Sequence, residues 1–227
     1  MISCVLMCGG KGSRLNTDPT VKVEKPLLEL KNKSLIEYMI EAVQNSKKNF
    51  KIYAAVSKNT VKTKEFLKNR YGNDITLIET TGNGFSNDYL IVVQFFKDKE
   101  NKENKEKNGI QGFADDKILF LPTDLPLISS KTLDEITDMY HNSPSISIVV
   151  AKKMFIQNNF VPSIFITEIN KVDYCYTGIS LLDFHIISGL KYIDQIIEVP
   201  RIMNKLELVY NINTIDDLKK AEKFIGL

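Results

Sequence analysis

Apolar positions follow two rhythms along this chain, and their alternation predicts an α/β fold. The run Cys4-Val5-Leu6-Met7-Cys8 is short and continuously apolar, the pattern of a strand buried on both faces. Ser34-Leu35-Ile36-Glu37 reads as a capping box, after which Leu35, Ile36, Met39, Ile40 and Val43 recur at helical spacing. Ile52 to Val56 predicts a second strand, Thr60 to Tyr71 a helix stopped by Gly72, and Ile75 to Ile78 a third strand. Lys117 to Leu121 reads as a further apolar strand, and Thr214 to Asp217 as a second capping box ahead of Leu218, Ala221 and Ile225. Strands alternating with helices imply a mainly parallel sheet flanked by helices, with right-handed crossovers.

The segment Lys97 to Lys107 interrupts the pattern with five lysines, four acids and no apolar residue. Such a stretch buries too little surface to offset its ordering entropy, so residues 97–112 are expected to form a flexible charged insertion, as a surface loop or a charged extension of the preceding helix. Elsewhere, 227 residues at 43% hydrophobic content suffice for a single domain over residues 1–227. A net charge of +2 without an exclusively basic block argues against a nucleic-acid partner, so any affinity for anions is local. No apolar stretch approaches the roughly 20 residues of a membrane span, and no signal-peptide pattern opens the chain, so the expected location is cytoplasmic. Cys4, Cys8 and Cys175 match neither a disulfide framework nor a zinc pattern, and Cys4 and Cys8 fall on one strand face as core filler. His141 and His185 have no catalytic neighbour in the sequence and read as structural.

Candidate chemistry gathers where strands end. The first strand opens into Gly9-Gly10-Lys11-Gly12-Ser13-Arg14-Leu15, and Glu24-Lys25-Pro26-Leu27 follows. Three glycines let backbone N–H groups approach an anion closely, while Lys11, Arg14 and Lys25 supply the charge that a polyphosphate requires. The spacing excludes G-x-x-x-x-G-K-[ST], because Ser13 follows Gly12 and Lys11 precedes it, and it excludes G-x-G-x-x-G, because no glycine stands at 15. A glycine-rich turn between two core elements accounts for the same loop without a ligand. The Lys117 strand runs into Pro122-Thr123-Asp124-Leu125-Pro126, where two prolines stiffen the turn that aims Asp124. Ligands of open α/β sheets sit beyond the carboxyl ends of the strands, so Asp124 and the glycine loop are expected to face one crevice. A carboxylate beside phosphates points to Mg²⁺, which takes one or two protein oxygens and completes its shell with phosphate and water. The alternative for Asp124 is a helix cap or turn residue.

Together, Met7 to Leu15, Glu24 to Leu27 and the strand-end Asp124 resemble the nucleotidyltransferases of the glycosyltransferase-A-like, Rossmann-like fold. Further blocks resemble the archaeal GTP:adenosylcobinamide-phosphate guanylyltransferases of cobalamin synthesis: Asn59 to Glu65, Thr81 to Asp88, Val161 to Ile164 and Asn211 to Leu218, in family order over nearly the whole chain. The charged insertion and the cysteine before Gly9 depart from that pattern. The resemblance implies transfer of GMP from GTP to a corrinoid phosphate with release of pyrophosphate. It implies that the loop Gly9, Gly10, Lys11, Gly12, Ser13 and Arg14 holds the β- and γ-phosphates, Lys25 meets the α-phosphate, and Mg²⁺ sits on Asp124. Lys11, Arg14, Lys25 and Asp124 are then the catalytic candidates. Thr81, Gly82 and Gly84 are placed at the base, with Asp88 as an acceptor for the guanine N–H donors and Ser57 and Asn59 as further contacts; an Asx-rich turn explains that segment equally. Asn213 is a second metal candidate, at a terminal motif where relatives often carry an acid nearby, and Thr214 to Asp217 read as structural caps. The acceptor region is expected between Pro162 and Gly178, with Gly178 leaving room for a bulky corrinoid and Lys152 and Lys153 near its phosphate or solvating a strand end. Other nucleotidyltransferases of the fold, acting on molybdopterin or a sugar phosphate, and a silent nucleotide-binding module remain alternatives, as do monomer and homodimer.

Overall fold

A computed structural model describes residues 1–13, 15, 23–106, 117–140, 143, 145–162, 165–188, 196 and 198–226. In chain order the elements are β1 (Ile2–Met7), β2 (Glu29–Leu30), β3 (Lys33–Ser34), α1 (Leu35–Gln44), β4 (Phe50–Ser57), α2 (Val61–Tyr71), β5 (Ile75–Thr80), α3 (Phe85–Glu106) and β6 (Lys117–Pro122). They continue with α4 (Ser130–Asp138), β7 (Ser145–Ala151), α5 (Lys152–Gln157), β8 (Ile166–Ile169), β9 (Val172–Asp183), α6 (Phe184–Ser188), β10 (Val199–Ile202) and α7 (Ile215–Ile225). Eight strands form one sheet in the order β10-β7-β9-β6-β1-β4-β5, with β8 added to β9. The expected mainly parallel α/β architecture is present: in this sheet β9 is the reversed strand, antiparallel to β6, β7 and β8, and the remaining pairings are parallel.

Strand β1 lies between β4 and β6 and is paired in parallel along its whole length with both. Its side chains alternate between two cores. Cys4 and Leu6 face a cluster built with Leu35, Ile36, Met39 and Ile40 of α1, while Val5 faces Tyr53, Val92, Phe96 and Phe120. Cys8 lies one residue beyond the strand, where its N–H still bonds to Ala55 O at 2.9 Å, and it joins Cys4 in the same core. Burial pushes both thiols up, so neither is a ready thiolate.

The charged segment resolves in favour of the helical extension. Helix α3 runs on through residues 97–106, while residues 107–112 lie outside the described residues. Phe96 is fully buried just before the charges begin, Gln94 donates to Asp98 at 2.8 Å, and Lys99 donates to the Tyr53 hydroxyl at 3.0 Å. Long unbranched side chains lose little rotamer freedom in a helix, so these few anchors suffice to extend it. Among the described residues, no helix is long and apolar enough to cross a membrane.

Both sequence-read capping boxes are formed. In the first, burial pushes the Glu37 carboxyl up, but the Ser34 hydroxyl and N–H together with Arg70 outweigh it and hold the group below its usual range. A carboxyl lowered by folding contributes stability that is complete above its unfolded pKa of about 4.3 and is lost as pH falls through the lower folded value. The urea midpoint is therefore expected to fall on acidification below about pH 4, and Glu37→Gln to make that fall shallower while lowering stability at neutral pH.

Candidate active site

Because β1, β4 and β6 are in register, Met7 sits level with Ala55 on one side and Pro122 on the other. The loops that leave these strands therefore emerge at one edge of the sheet. They carry Gly9 to Ser13, Ser57 to Thr60, and Thr123 with Asp124, so these segments start from the same edge. Strand β5 ends level with Ser57, at Thr80, and brings the 81–84 turn to the same edge.

The glycine loop is tied to its neighbours by buried polar groups. The Ser57 hydroxyl donates to Gly9 O at 2.8 Å, and the Asn59 amide donates to Gly9 O at 3.2 Å and to Gly82 O at 3.0 Å. Asp88, only 4% exposed, accepts the Gly82 N–H at 2.9 Å. A Cβ on Gly9 would lie 2.8 Å from Asp88 Oδ2, and one on Gly82, where φ is +66°, would lie 2.2 Å from the Asn59 amide nitrogen. These two glycines are required by the protein's own packing. The polar groups of Ser57, Asn59 and Asp88 thus bond to the backbone of the two loops. Gly10 differs: no atom comes within 4 Å of its would-be Cβ. Lys11 and Ser13 are exposed beside it, Gly12 takes φ of +60°, and Arg14 lies outside the described residues. Thr81 and Gly84 are exposed at the neighbouring turn.

Across the edge stands the second part of the site. Lys25 occupies a short 3-10 turn, Lys25–Leu27, and its Nζ donates to Asp124 Oδ2 at 2.8 Å and to Asn213 Oδ1 at 3.1 Å. Asn213 is carried there because the Ile212 N–H bonds to Asp124 O at 2.8 Å, and because Asp217 of the second capping box accepts the Asn213 N–H at 3.1 Å. The Lys25 and Asp124 side chains are 16% and 19% exposed, enough burial for the pair to resist screening. Asp124 Oδ1 is buried and has no partner among the described residues. A buried carboxylate oxygen without a partner is uncommon, because leaving it unsatisfied is costly.

Gly178 lies on the far side of Asp124. It sits at a bulge in β9 with φ of +83°, its would-be Cβ 3.4 Å from Pro122 at the end of β6. The adjoining β8–β9 hairpin exposes Ile166 and Val172, the segment before it exposes Val161 and Phe165, and Lys152 pairs with Asp173 at 3.0 Å. Glu24 went unassigned in the sequence. Its carboxylate is buried against the first turn of α2, accepting the Lys62 N–H at 3.0 Å and the Thr63 N–H at 2.7 Å. One signal was available: α2 opens without an acid of its own.

A parallel sheet whose strand ends assemble a glycine-rich cationic loop and a lysine–aspartate pair is the construction of a nucleotidyltransferase. The chain belongs to the MobA-like NTP transferase family, whose domain model matches residues 4–172. It is similar to the adenosylcobinamide-phosphate guanylyltransferase of Methanocaldococcus jannaschii, with 26% identity covering 99% of this chain and 97% of that protein. The fold is shared with a 4-diphosphocytidyl-2C-methyl-D-erythritol synthase from Anaerococcus prevotii, with a TM-score of 0.65, 12% identity and coverage of 100% and 99% of the two chains. A nucleotidyl transferase from Methanothermobacter matches with a TM-score of 0.62 and 18% identity, covering 100% of this chain and 98% of the other.

The two kinds of glycine are separable by substitution. Gly82→Ala is expected to cost about 1–3 kcal/mol of stability from positive φ alone, with more from the clash, read as a lowered urea midpoint. Gly10→Ala is expected to leave stability within about 0.5 kcal/mol of wild type.

Proposed function

We propose that the protein transfers GMP from GTP to the phosphate of adenosylcobinamide phosphate, releasing pyrophosphate. An acceptor phosphate oxygen attacks the α-phosphorus of GTP, the bond from that phosphorus to the oxygen bridging to the β-phosphate breaks, and pyrophosphate carries away the electron pair. The nucleophile is already anionic, so the site has to align and neutralise more than to remove a proton. The observation that carries this reading is the shared contact of Lys25 with Asp124 and Asn213, with Asp124 Oδ1 left open beside it. The acceptor is supported by the relative that matches 99% of the chain.

In this reading the backbone N–H groups at Gly9, Gly10 and Gly12, with Lys11 and Arg14, hold the leaving pyrophosphate. The ammonium of Lys25 meets the charge that builds on the α-phosphate, from a point between the nucleotide and acceptor sides. Among the described residues no group of three or more His, Cys, Asp or Glu gathers as a closed metal cage. Asp124 with its open oxygen, and Asn213 beside it, instead fit Mg²⁺, which favours one or two protein oxygens and keeps phosphate and water. Bound there, Mg²⁺ supplies charge neutralisation between donor and acceptor phosphates. The exposed Thr81 to Gly84 turn is the surface left for the base, because Ser57, Asn59 and Asp88 brace the loops beneath it. On the acceptor side, exposed Phe165 and Val172 offer apolar surface to a large macrocycle.

The test is pyrophosphate release from GTP and Mg²⁺ with a panel of phosphorylated acceptors. Adenosylcobinamide phosphate or cobinamide phosphate is expected to turn over faster than molybdopterin or sugar phosphates, and the opposite order would overturn the acceptor. Lys25→Ala and Asp124→Asn are each expected to lower kcat by on the order of a hundredfold, and wild-type rates in both would remove the site.

A further inference from the structure

Glu24 stands next to Lys25 in sequence, yet its carboxylate points away from the Lys25–Asp124 contact and into α2. The helix needs it. Thr60 is the N-cap of α2, but its hydroxyl bonds to Ser57 and makes no bond to the first-turn N–H groups. The first turn, Val61-Lys62-Thr63, contains no acid. Glu24 fills both vacancies from 38 and 39 residues away: Oε1 accepts the Lys62 N–H, and Oε2 accepts the Thr63 N–H together with the Thr63 hydroxyl at 2.8 Å. Thr63 is fully buried and Glu24 is 9% exposed, so this is an interior, charge-assisted cap on the positive end of a helix. The same residue's carbonyl accepts the Leu27 N–H at 2.9 Å and so starts the 3-10 turn that presents Lys25.

We propose that Glu24 is a positioning residue: it locks the backbone that carries Lys25 to α2 and so fixes the reach of Lys25 Nζ to the transferred phosphate. The lock joins the two parts of the site. The loop that leads into α2 holds Gly9 and Gly82 through Ser57 and Asn59, so Glu24 ties the Lys25 side to the same anchor as the glycine loop. The proposal rests on the assignment of Lys25 to phosphate transfer, and its test separates the two.

Glu24→Gln keeps the shape but removes the charge and replaces one acceptor oxygen with a donor that cannot take an amide N–H. In the full chain, acetic anhydride labelling read by mass spectrometry is expected to modify Lys25 several-fold faster in this variant than in wild type. Lys48 and Lys205, ion-paired to Asp138 and Glu135 of α4, serve as internal references and are expected to keep their rates. In pyrophosphate release, kcat is expected to fall about tenfold with the KM for GTP nearly unchanged, and the same substitution in a Lys25→Ala background to have little further effect on kcat. Should Glu24→Gln fail to fold, Thr63→Val removes only the hydroxyl bond and is expected to give a smaller rise in Lys25 labelling. Unchanged Lys25 labelling in the folded variants, or a full kcat loss that persists without Lys25, would overturn the proposal. Wild-type turnover in Lys25→Ala alone would instead remove the assignment on which it rests.

Discussion

Everything at the site depends on the register of β1 between β4 and β6. Parallel hydrogen bonds on both sides hold Met7 level with Ala55 and Pro122, and the two cores on either face of the sheet hold the alternation of Cys4, Val5 and Leu6. A slip by one residue would turn each of these side chains toward the opposite core. It would also move Gly9 away from Ser57 and from the level of Asp124. The apolar strand and the polar loop are thus one device, with burial supplying the force that places the backbone at the crevice.

Polar groups near that edge divide into two sets with different physics. Ser57, Thr60, Thr63 and Asp88 are almost fully buried with hydrogen-bonded side chains, as a low-dielectric interior demands. They make a rigid floor under the loops. Lys25, Asp124 and Asn213 are partly exposed, and among the described residues Asp124 Oδ1 has no partner in their network. Rigid, satisfied surroundings around an incomplete polar cluster are what preorganised electrostatic catalysis needs, because the cost of orienting the charges is met in folding.

The side of the sheet beyond β6 is built differently. Strand β9 runs antiparallel between β6 and β7, and its bulge places Gly178 against Pro122, two residues before Asp124. Beyond it the β8–β9 hairpin exposes apolar side chains that the core does not use. The braced side of the edge and the open apolar side thus differ in how their surfaces are made.

The sequence by itself determined the kinds of elements and the residues worth watching. Periodicity and capping boxes depend on neighbours within a few positions, so Leu35 to Val43, Thr60 to Tyr71 and the caps at Ser34 and Thr214 were legible. The glycine loop and Asp124 were legible as candidates by residue type and by their places at strand ends, and Lys25 and Asn213 by the motifs that hold them. Tertiary structure alone decided their partners. Lys25 meets groups 99 and 188 residues away, Glu24 caps a helix 38 residues on, and Asp88 accepts the Gly82 N–H from the loop after β5. The same holds for the charged stretch after Phe96, which is helical to Glu106 because Tyr53, on a different strand, receives Lys99. Local pattern encodes which face of an element avoids water; which polar atom a buried side chain finds there is set by the register of strands far apart in the chain.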